Sequence, residues 1–153
     1  MNKKMNVLGV APYIAAPTFL YLALAVVITF LNGEVFKFTN GDYVPLIIAG
    51  AVMIFIGVLM VIYCGRKVLK SFSSGMLMTD GLYKIFRNPM YAAYLIFIIP
   101  GLALLFNSWL ALTTVLVNYI LFSVFIKREY VYLKEKYGVE YENYLAKVFI
   151  KFL

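Results

Sequence analysis

Long uncharged apolar runs alternate with short polar segments along this chain. The first run covers residues 9–31 and the second covers residues 45–64, and neither contains a charged side chain. A helix of about 20 residues spans roughly 30 Å, which is the thickness of the hydrocarbon core of a bilayer. Both runs therefore predict transmembrane helices, and we interpret the first as a retained span rather than a cleaved signal peptide.

A third uncharged run covers residues 88–126 and is 39 residues long. As one helix it would measure about 58 Å, roughly twice the thickness of the hydrocarbon core. We therefore predict two spans, at residues 89–106 and 109–126. The turn between them could lie at Pro100 and Gly101 or at Asn107 and Ser108, and a single kinked helix is the third possibility.

The positions of the cationic residues favour the two-span interpretation. With four spans, 13 of the 14 Lys and Arg residues fall on one side of the membrane, and Lys37 lies on the other. Cytoplasmic loops carry an excess of Lys and Arg, whereas three spans would place the six C-terminal cations outside. We thus expect cytoplasmic termini and a hairpin turn near Asn107 and Ser108, with Trp109 in the outer interfacial belt.

Composition agrees with an all-α integral membrane bundle that forms one domain over residues 1–153. The chain is 64% hydrophobic and 14% charged, with a mean hydropathy of +0.89. A net charge of +7 would suggest nucleic acid for a soluble protein, but here the cations flank the spans, so we expect none. The chain has no histidine and one cysteine, Cys64, which excludes histidine catalysis, an intramolecular disulfide and the usual zinc sites.

The tail, residues 127–153, has an amphipathic pattern. Apolar and aromatic side chains recur at spacings of three and four, as on one face of a helix. They are Tyr130, Leu133, Tyr137, Tyr141, Tyr144 and Val148. Gly138 is expected to break or bend this helix.

The segment of residues 79–91, which we call the polar loop, holds the first candidate for chemistry. Its Arg87 could bind a carboxylate through paired hydrogen bonds, although an isolated arginine at this place would more often only mark the cytoplasmic side. Pro89 suits the first turn of the third span, where free amides would face an anion. Glu129 in the tail could hold a cationic or hydroxylated ligand group, or simply pair with a surface cation.

These two segments together resemble the isoprenylcysteine carboxyl methyltransferases and the related membrane phospholipid methyltransferases. The matching residues are Thr79, Gly81, Tyr83, Arg87, Pro89 and Tyr91 in the polar loop, and Glu129, Leu133, Tyr137, Gly138, Tyr141 and Tyr144 in the tail. Three positions depart from the family pattern: Leu82 replaces a proline, Asn88 a histidine and Tyr130 a second glutamate.

The resemblance implies S-adenosylmethionine as the methyl donor and a membrane lipid or a prenylated, lipophilic acceptor. It assigns the cofactor site to Gly81, Tyr83, Arg87, Asn88, Pro89, Tyr91, Glu129 and Tyr141, with Arg87 and Glu129 also in catalytic roles. Methyl transfer needs alignment and a dry pocket rather than a metal. Carboxylate, thiol and amine acceptors all remain open.

Two alternatives stay open from the sequence. The Arg-x-Pro-x-Tyr element formed by Arg87, Pro89 and Tyr91 is also similar to the C-terminal part of membrane sterol reductases, which would imply NADPH. The replacements at Asn88 and Tyr130 also fit a non-catalytic relative that binds lipid or a partner protein.

Overall fold

The structure, a computed structural model, describes residues 9–153 apart from the side chain of Phe72. The described chain is helical, with two isolated β-bridges and no strand, which confirms the all-α prediction. Lys3 and Lys4, two of the cations used to predict topology, lie outside the described residues. The helices are α1 Ala11–Leu31, α2 Gly33–Phe36, α3 Val44–Ser74, α4 Leu82–Ile85, α5 Pro89–Ala92, a π-helical segment Ala93–Ile98, α6 Ile99–Leu105, α7 Trp109–Leu112, α8 Thr114–Tyr137 and α9 Val139–Lys147.

Three stretches of the described helices are long and apolar enough to cross a membrane: Ala11–Leu31, Val44–Ser71 and Trp109–Tyr137. The fourth apolar stretch, Pro89–Leu105, is shorter. Its helix begins at Pro89, as predicted, because proline at the first helical position lacks an N–H that would have no partner there.

The predicted turn between the third and fourth apolar stretches is confirmed at Asn107 and Ser108. Asn107 has a left-handed backbone with φ 50°, and the Ser108 hydroxyl accepts a hydrogen bond of 2.9 Å from the Ala111 amide, which caps α7. Such caps satisfy amides that lack a partner within the helix. Pro100 and Gly101, the alternative turn, lie inside helix α6.

Two helices extend well beyond the apolar runs that predicted them. Helix α3 continues ten residues past Cys64 to Ser74, where Gly75 ends it in the left-handed conformation with φ 71°. Helix α8 likewise continues past Ile126 to Tyr137, so the first part of the tail prolongs a span. The length of an apolar run reflects the thickness of the hydrocarbon core, and a helix does not have to end where the run ends. Lys, Arg and Glu are good helix formers, so a helix can continue through them into water.

The predicted break at Gly138 is confirmed. This residue has φ 50° and separates α8 from α9, a conformation that favours glycine. Helix α9 then packs its tyrosines inward, with Tyr141 and Tyr144 both buried.

The loops gather at two opposite ends of the bundle. At one end, the Asn107 side chain and the Thr39 backbone exchange two hydrogen bonds, so the outer loop (residues 32–43) packs on the hairpin turn. At the other end, the last residues of the tail pair with the polar loop: Arg87 N–H donates to the Ile150 carbonyl at 3.0 Å. The polar loop thus lies between helix α3 and the tail and contacts both.

Candidate functional site

A cavity of about 470 Å³ opens at the end of the bundle that carries the polar loop. Helices α1, α3, α8 and α9 contribute to its walls together with the polar loop, and most of its surface is apolar. Seven of the eight residues assigned to the cofactor site line it: Tyr83, Arg87, Asn88, Pro89, Tyr91, Glu129 and Tyr141. The fold therefore brings residues from both matching segments around one space.

Gly81 is the assigned residue that does not line the cavity. Its backbone has φ 61°, and a Cβ at this position would collide with the hydroxyl of Tyr63 on helix α3. Gly81 therefore lets the polar loop lie directly against α3. Next to it, Asp80 forms an ion pair with Lys67 of α3, and this contact lowers the pKa of the Asp80 carboxyl.

Arg87 is held by tyrosines. Its guanidinium carbon lies 3.3 Å from the centre of the Tyr130 ring, which is a stacked cation–π contact. Its Nε and Nη2 atoms donate to the Tyr141 hydroxyl at 3.2 and 2.6 Å. Within the described residues the ion pairs join Lys67 to Asp80 and Lys134 to Glu142, so no carboxylate neutralises Arg87 there.

The tyrosines around Arg87 are themselves fixed by burial and hydrogen bonds. Tyr141 is 2% exposed, and Tyr144 donates a hydrogen bond of 2.9 Å to the Tyr83 carbonyl. Burial raises the pKa of Tyr141, although the neighbouring Arg87 guanidinium partly lowers it. The hydroxyl stays neutral near pH 7, so it accepts from Arg87 and keeps its own proton to donate.

Asn88 and Tyr130, two of the departures from the family pattern, contact each other. The Asn88 amide donates to the Tyr130 hydroxyl at 2.6 Å, and Asn88 is buried. Tyr130 thus packs on Arg87 with its ring face and holds Asn88 with its hydroxyl. Sequence reasoning did not assign Tyr130 to the site, although its place beside Glu129 was the available signal.

Glu129 lines the same cavity as Arg87 and is half-buried. In the described part of the chain it has no ion-pair partner, and its carboxylate lies by the Val10 backbone amide. An acid and a guanidinium that share a cavity without neutralising each other can bind a ligand that carries both an anionic and a cationic or hydroxyl group.

Sequence reasoning missed the contribution of helix α1 and of the deeper part of α8. Ile14 and Thr18 from α1 and Asn118 from α8 extend the cavity between the apolar helices. A polar Asn118 inside an uncharged run was the one signal that could have identified this part of the wall.

The sequence profile of the phospholipid methyltransferase family matches residues 44–140, which is more than half of the chain. The chain belongs to this family. The match includes the polar loop and the tail up to residue 140, and it leaves helix α1 and the cavity residues Tyr141 and Tyr144 outside.

Two curated relatives are each named a probable protein-S-isoprenylcysteine O-methyltransferase, one from Oryza sativa subsp. indica and one from Oryza sativa subsp. japonica. Each is 35% identical over 72 residues, which are 47% of this chain and 38% of the relative. The matched segment therefore spans well under half the length of these relatives. No solved structure matches the chain significantly.

Proposed function

We propose that this protein is a membrane-embedded methyltransferase that moves a methyl group from S-adenosylmethionine to a lipid-like acceptor. The observation that carries the proposal is the cavity itself. Arg87, which has no carboxylate partner among the described residues, and Glu129 line one space that continues between apolar helices. Membership of the phospholipid methyltransferase family supports this activity.

Each proposed cofactor contact follows from the chemistry of the residue. Arg87 would bind the cofactor carboxylate, because a guanidinium offers several N–H donors in one plane. Glu129 would bind the ammonium group or a ribose hydroxyl, since an ionised carboxylate accepts hydrogen bonds. When bound, the sulfonium supplies an electrophilic methyl group. Tyr83, Asn88, Pro89, Tyr91 and Tyr141 would complete the wall, and Gly81 would position the polar loop.

The chain's own contribution to the reaction is alignment and exclusion of water. Buried tyrosines surround Arg87, and such a surrounding strengthens its interaction with an anion. An acceptor carboxylate or thiolate would lose its charge when it attacks the methyl group, so a cavity wall that excludes water should favour the methyl transfer. A protonated amine acceptor would first have to lose a proton to a base. Glu129, the acidic residue that matches the family pattern, could accept that proton. The relatives named isoprenylcysteine methyltransferases favour a carboxylate acceptor.

Four membrane spans would place this site at the cytoplasmic face. The stretch Pro89–Leu105 is 17 residues long and would measure about 26 Å as a helix, close to the hydrocarbon thickness. Of the cations the structure describes, Lys37 belongs to the end with the outer loop and the hairpin turn, and the others follow residue 65 in the segments around the polar loop and the tail. This distribution agrees with the positive-inside rule.

Calorimetry on detergent-purified protein tests the cofactor assignment. We expect saturable binding of S-adenosylmethionine that Arg87→Ala and Glu129→Gln each weaken about tenfold or more, because each removes a charged contact. Arg128→Ala and Glu135→Gln are matched controls, since both side chains are exposed and lie outside the cavity lining. Undiminished binding in the two site variants would refute the assigned pocket.

Two further measurements separate the proposal from its alternatives. Competition of labelled cofactor by NADPH would instead indicate a reductase. Transfer of a radiolabelled methyl group to extracted lipids or to prenylated cysteine compounds would exclude a non-catalytic relative. We expect transfer to at least one of these acceptor classes and no displacement by NADPH.

A further inference from the structure

Asn118 occupies an unusual position for an amide side chain. It lies on helix α8 within an apolar stretch, is 4% exposed and lines the cavity. Glu129 lies eleven positions later on the same helix, which corresponds to about 16 Å along the axis. Asn118 therefore belongs to the deep end of the cavity, far from the charged groups.

The orientation of the Asn118 amide follows from its neighbour on α1. The Thr18 hydroxyl donates its hydrogen to the Ile14 carbonyl at 2.7 Å, so its oxygen can only accept from Asn118. The Asn118 Nδ2 atom donates to it at 2.9 Å. This hydrogen bond between helices α8 and α1 satisfies the amide nitrogen of Asn118. The amide oxygen takes no part in it.

The Asn118 Oδ1 atom is buried and has no hydrogen-bond partner among the described residues. A buried polar atom without a hydrogen-bond partner lowers the stability of the fold. Such atoms are therefore rare unless a ligand or a water molecule supplies the missing hydrogen bond. Thr114, one turn earlier on α8, also has a buried unpartnered oxygen, but it does not line the cavity. Asn118 thus combines an unpartnered acceptor with a place on the wall.

We propose that Asn118 is a specificity residue that binds an uncharged hydrogen-bond donor, a hydroxyl or amide N–H, on the membrane-borne molecule in the deep end of the cavity. A charged donor is disfavoured because the surrounding helices are apolar and offer no counter-charge at this depth. The identification of this molecule with the methyl acceptor rests on the proposed function; the donor-binding site itself does not.

A pair of probes that differ in one donor tests the site without cofactor or turnover. We would measure apparent dissociation constants of 1-dodecanol and dodecyl methyl ether by thermal-shift titration in one detergent. The alcohol can donate to Asn118 and the ether cannot. We expect the unmodified protein to prefer the alcohol about tenfold, the ratio that one satisfied buried acceptor supports.

Variants assign that preference to one atom. Asn118→Leu and Asn118→Ala should both reduce the ratio to within about twofold, and the smaller alanine keeps the space open if leucine blocks both probes. Thr114→Val, which removes the unpartnered oxygen outside the cavity, should leave the ratio unchanged. Equal binding of the two probes by the unmodified protein, or a preference that survives both Asn118 variants, would overturn the proposal.

Cofactor calorimetry on the same variants keeps the two proposals apart. We expect Asn118→Ala to bind S-adenosylmethionine within about twofold of the unmodified protein. A tenfold loss of cofactor binding would assign Asn118 to the cofactor and would overturn its role in the deep end. A failure of Arg87→Ala to weaken cofactor binding would instead overturn the proposed function and leave the alcohol preference standing.

Discussion

The Arg87 guanidinium is oriented by two tyrosines that come from different helices. Tyr130 of α8 covers its face, and Tyr141 of α9 accepts from its edge. Stacking fixes the plane of a guanidinium without using its N–H groups, so the N–H groups that do not donate to Tyr141 remain available for an anion. The tyrosine contacts thus orient a cation and leave its charge uncompensated.

Loss of the Tyr130 ring should therefore weaken cofactor binding more than loss of its hydroxyl. A partly desolvated cation–π contact contributes about 1 to 2 kcal/mol, so we expect Tyr130→Leu to raise the Kd for S-adenosylmethionine roughly five- to thirtyfold. Tyr130→Phe keeps the stack and should change the Kd by less than about threefold. Calorimetry measures both values. Equal effects of the two variants would show that the stack does not position Arg87.

The contact between Asn88 and Tyr130 should appear as an energetic coupling. Because the pair shares a hydrogen bond of 2.6 Å, the effects of Asn88→Ala and Tyr130→Phe on the free energy of unfolding should be non-additive by about 1 kcal/mol. Unfolding in mixed detergent micelles measures the cycle. The same cycle with Tyr119→Phe, an exposed position on α8, should be additive.

Single residues also show what the sequence could predict. Arg87 and Glu129 were identifiable because each lies at the end of a predicted span and matches the family pattern, and the fold places both in one cavity. The stack of Tyr130 on Arg87 was not identifiable, since it joins residues 43 positions apart and depends on how α8 lies against the polar loop. Periodicity describes one element and carries no information on such distant pairs.

At the scale of elements, the polar loop is a short segment that contains the single turn α4 and is held from both sides. Helix α3 contacts it through Tyr63 and Lys67, and the tail pairs with it through the backbone of Phe86 and Ile150. A loop secured in this way can present Arg87 in a fixed position, and preorganised groups bind ligands at a lower entropic cost.

Replacement of Gly81 by alanine should loosen this loop. The Gly81 backbone, with φ 61° and ψ −127°, lies in a region that costs a residue with a Cβ about 1 to 3 kcal/mol, and the collision with the Tyr63 hydroxyl adds to it. Gly138→Ala is the matched control, because Gly138 has nearly the same backbone, with φ 50° and ψ −122°, but has open space around it. We expect Gly81→Ala to lower the cofactor affinity, and to lower the free energy of unfolding more than Gly138→Ala does.

A second substitution isolates the collision. Tyr63→Phe removes the hydroxyl that an added Cβ would meet first, so it should partly restore Gly81→Ala. Unfolding of the single and double variants in detergent measures this rescue. Identical losses of stability for Gly81→Ala and Gly138→Ala, without any rescue, would show that close packing on α3 does not hold the loop.

The helix boundaries differed from the sequence expectation for a physical reason. An uncharged run predicts where a chain lies in hydrocarbon, and a helix ends where its hydrogen bonds stop. Helix α3 therefore continues to Gly75 and α8 to Gly138, two glycines with positive φ. The helical extension past Ile126 carries Glu129 and Tyr130. The site therefore depends on the part of α8 that continues beyond the apolar run.

At the scale of the whole molecule, the two ends of the bundle differ in their contacts and in their charge. The end formed by the outer loop and the hairpin turn is held by hydrogen bonds between Thr39 and Asn107 and by the Trp109 indole, which donates to the Val35 carbonyl. The other end holds the cavity, Arg87 and most of the described cations. With four spans, as proposed, these ends would face opposite sides of one membrane.

Labelling of introduced cysteines tests this topology. Asn40→Cys in the outer loop should react with a membrane-impermeant maleimide in intact cells, whereas Glu140→Cys in the tail should react only after permeabilisation, because both positions are exposed at opposite ends. The native Cys64 is fully buried, so the unmodified chain should give little signal and serves as the control. Reaction of both introduced cysteines from the same side would mean that Pro89–Leu105 does not cross the bilayer. The cavity would then not open where a cytoplasmic cofactor can reach Arg87.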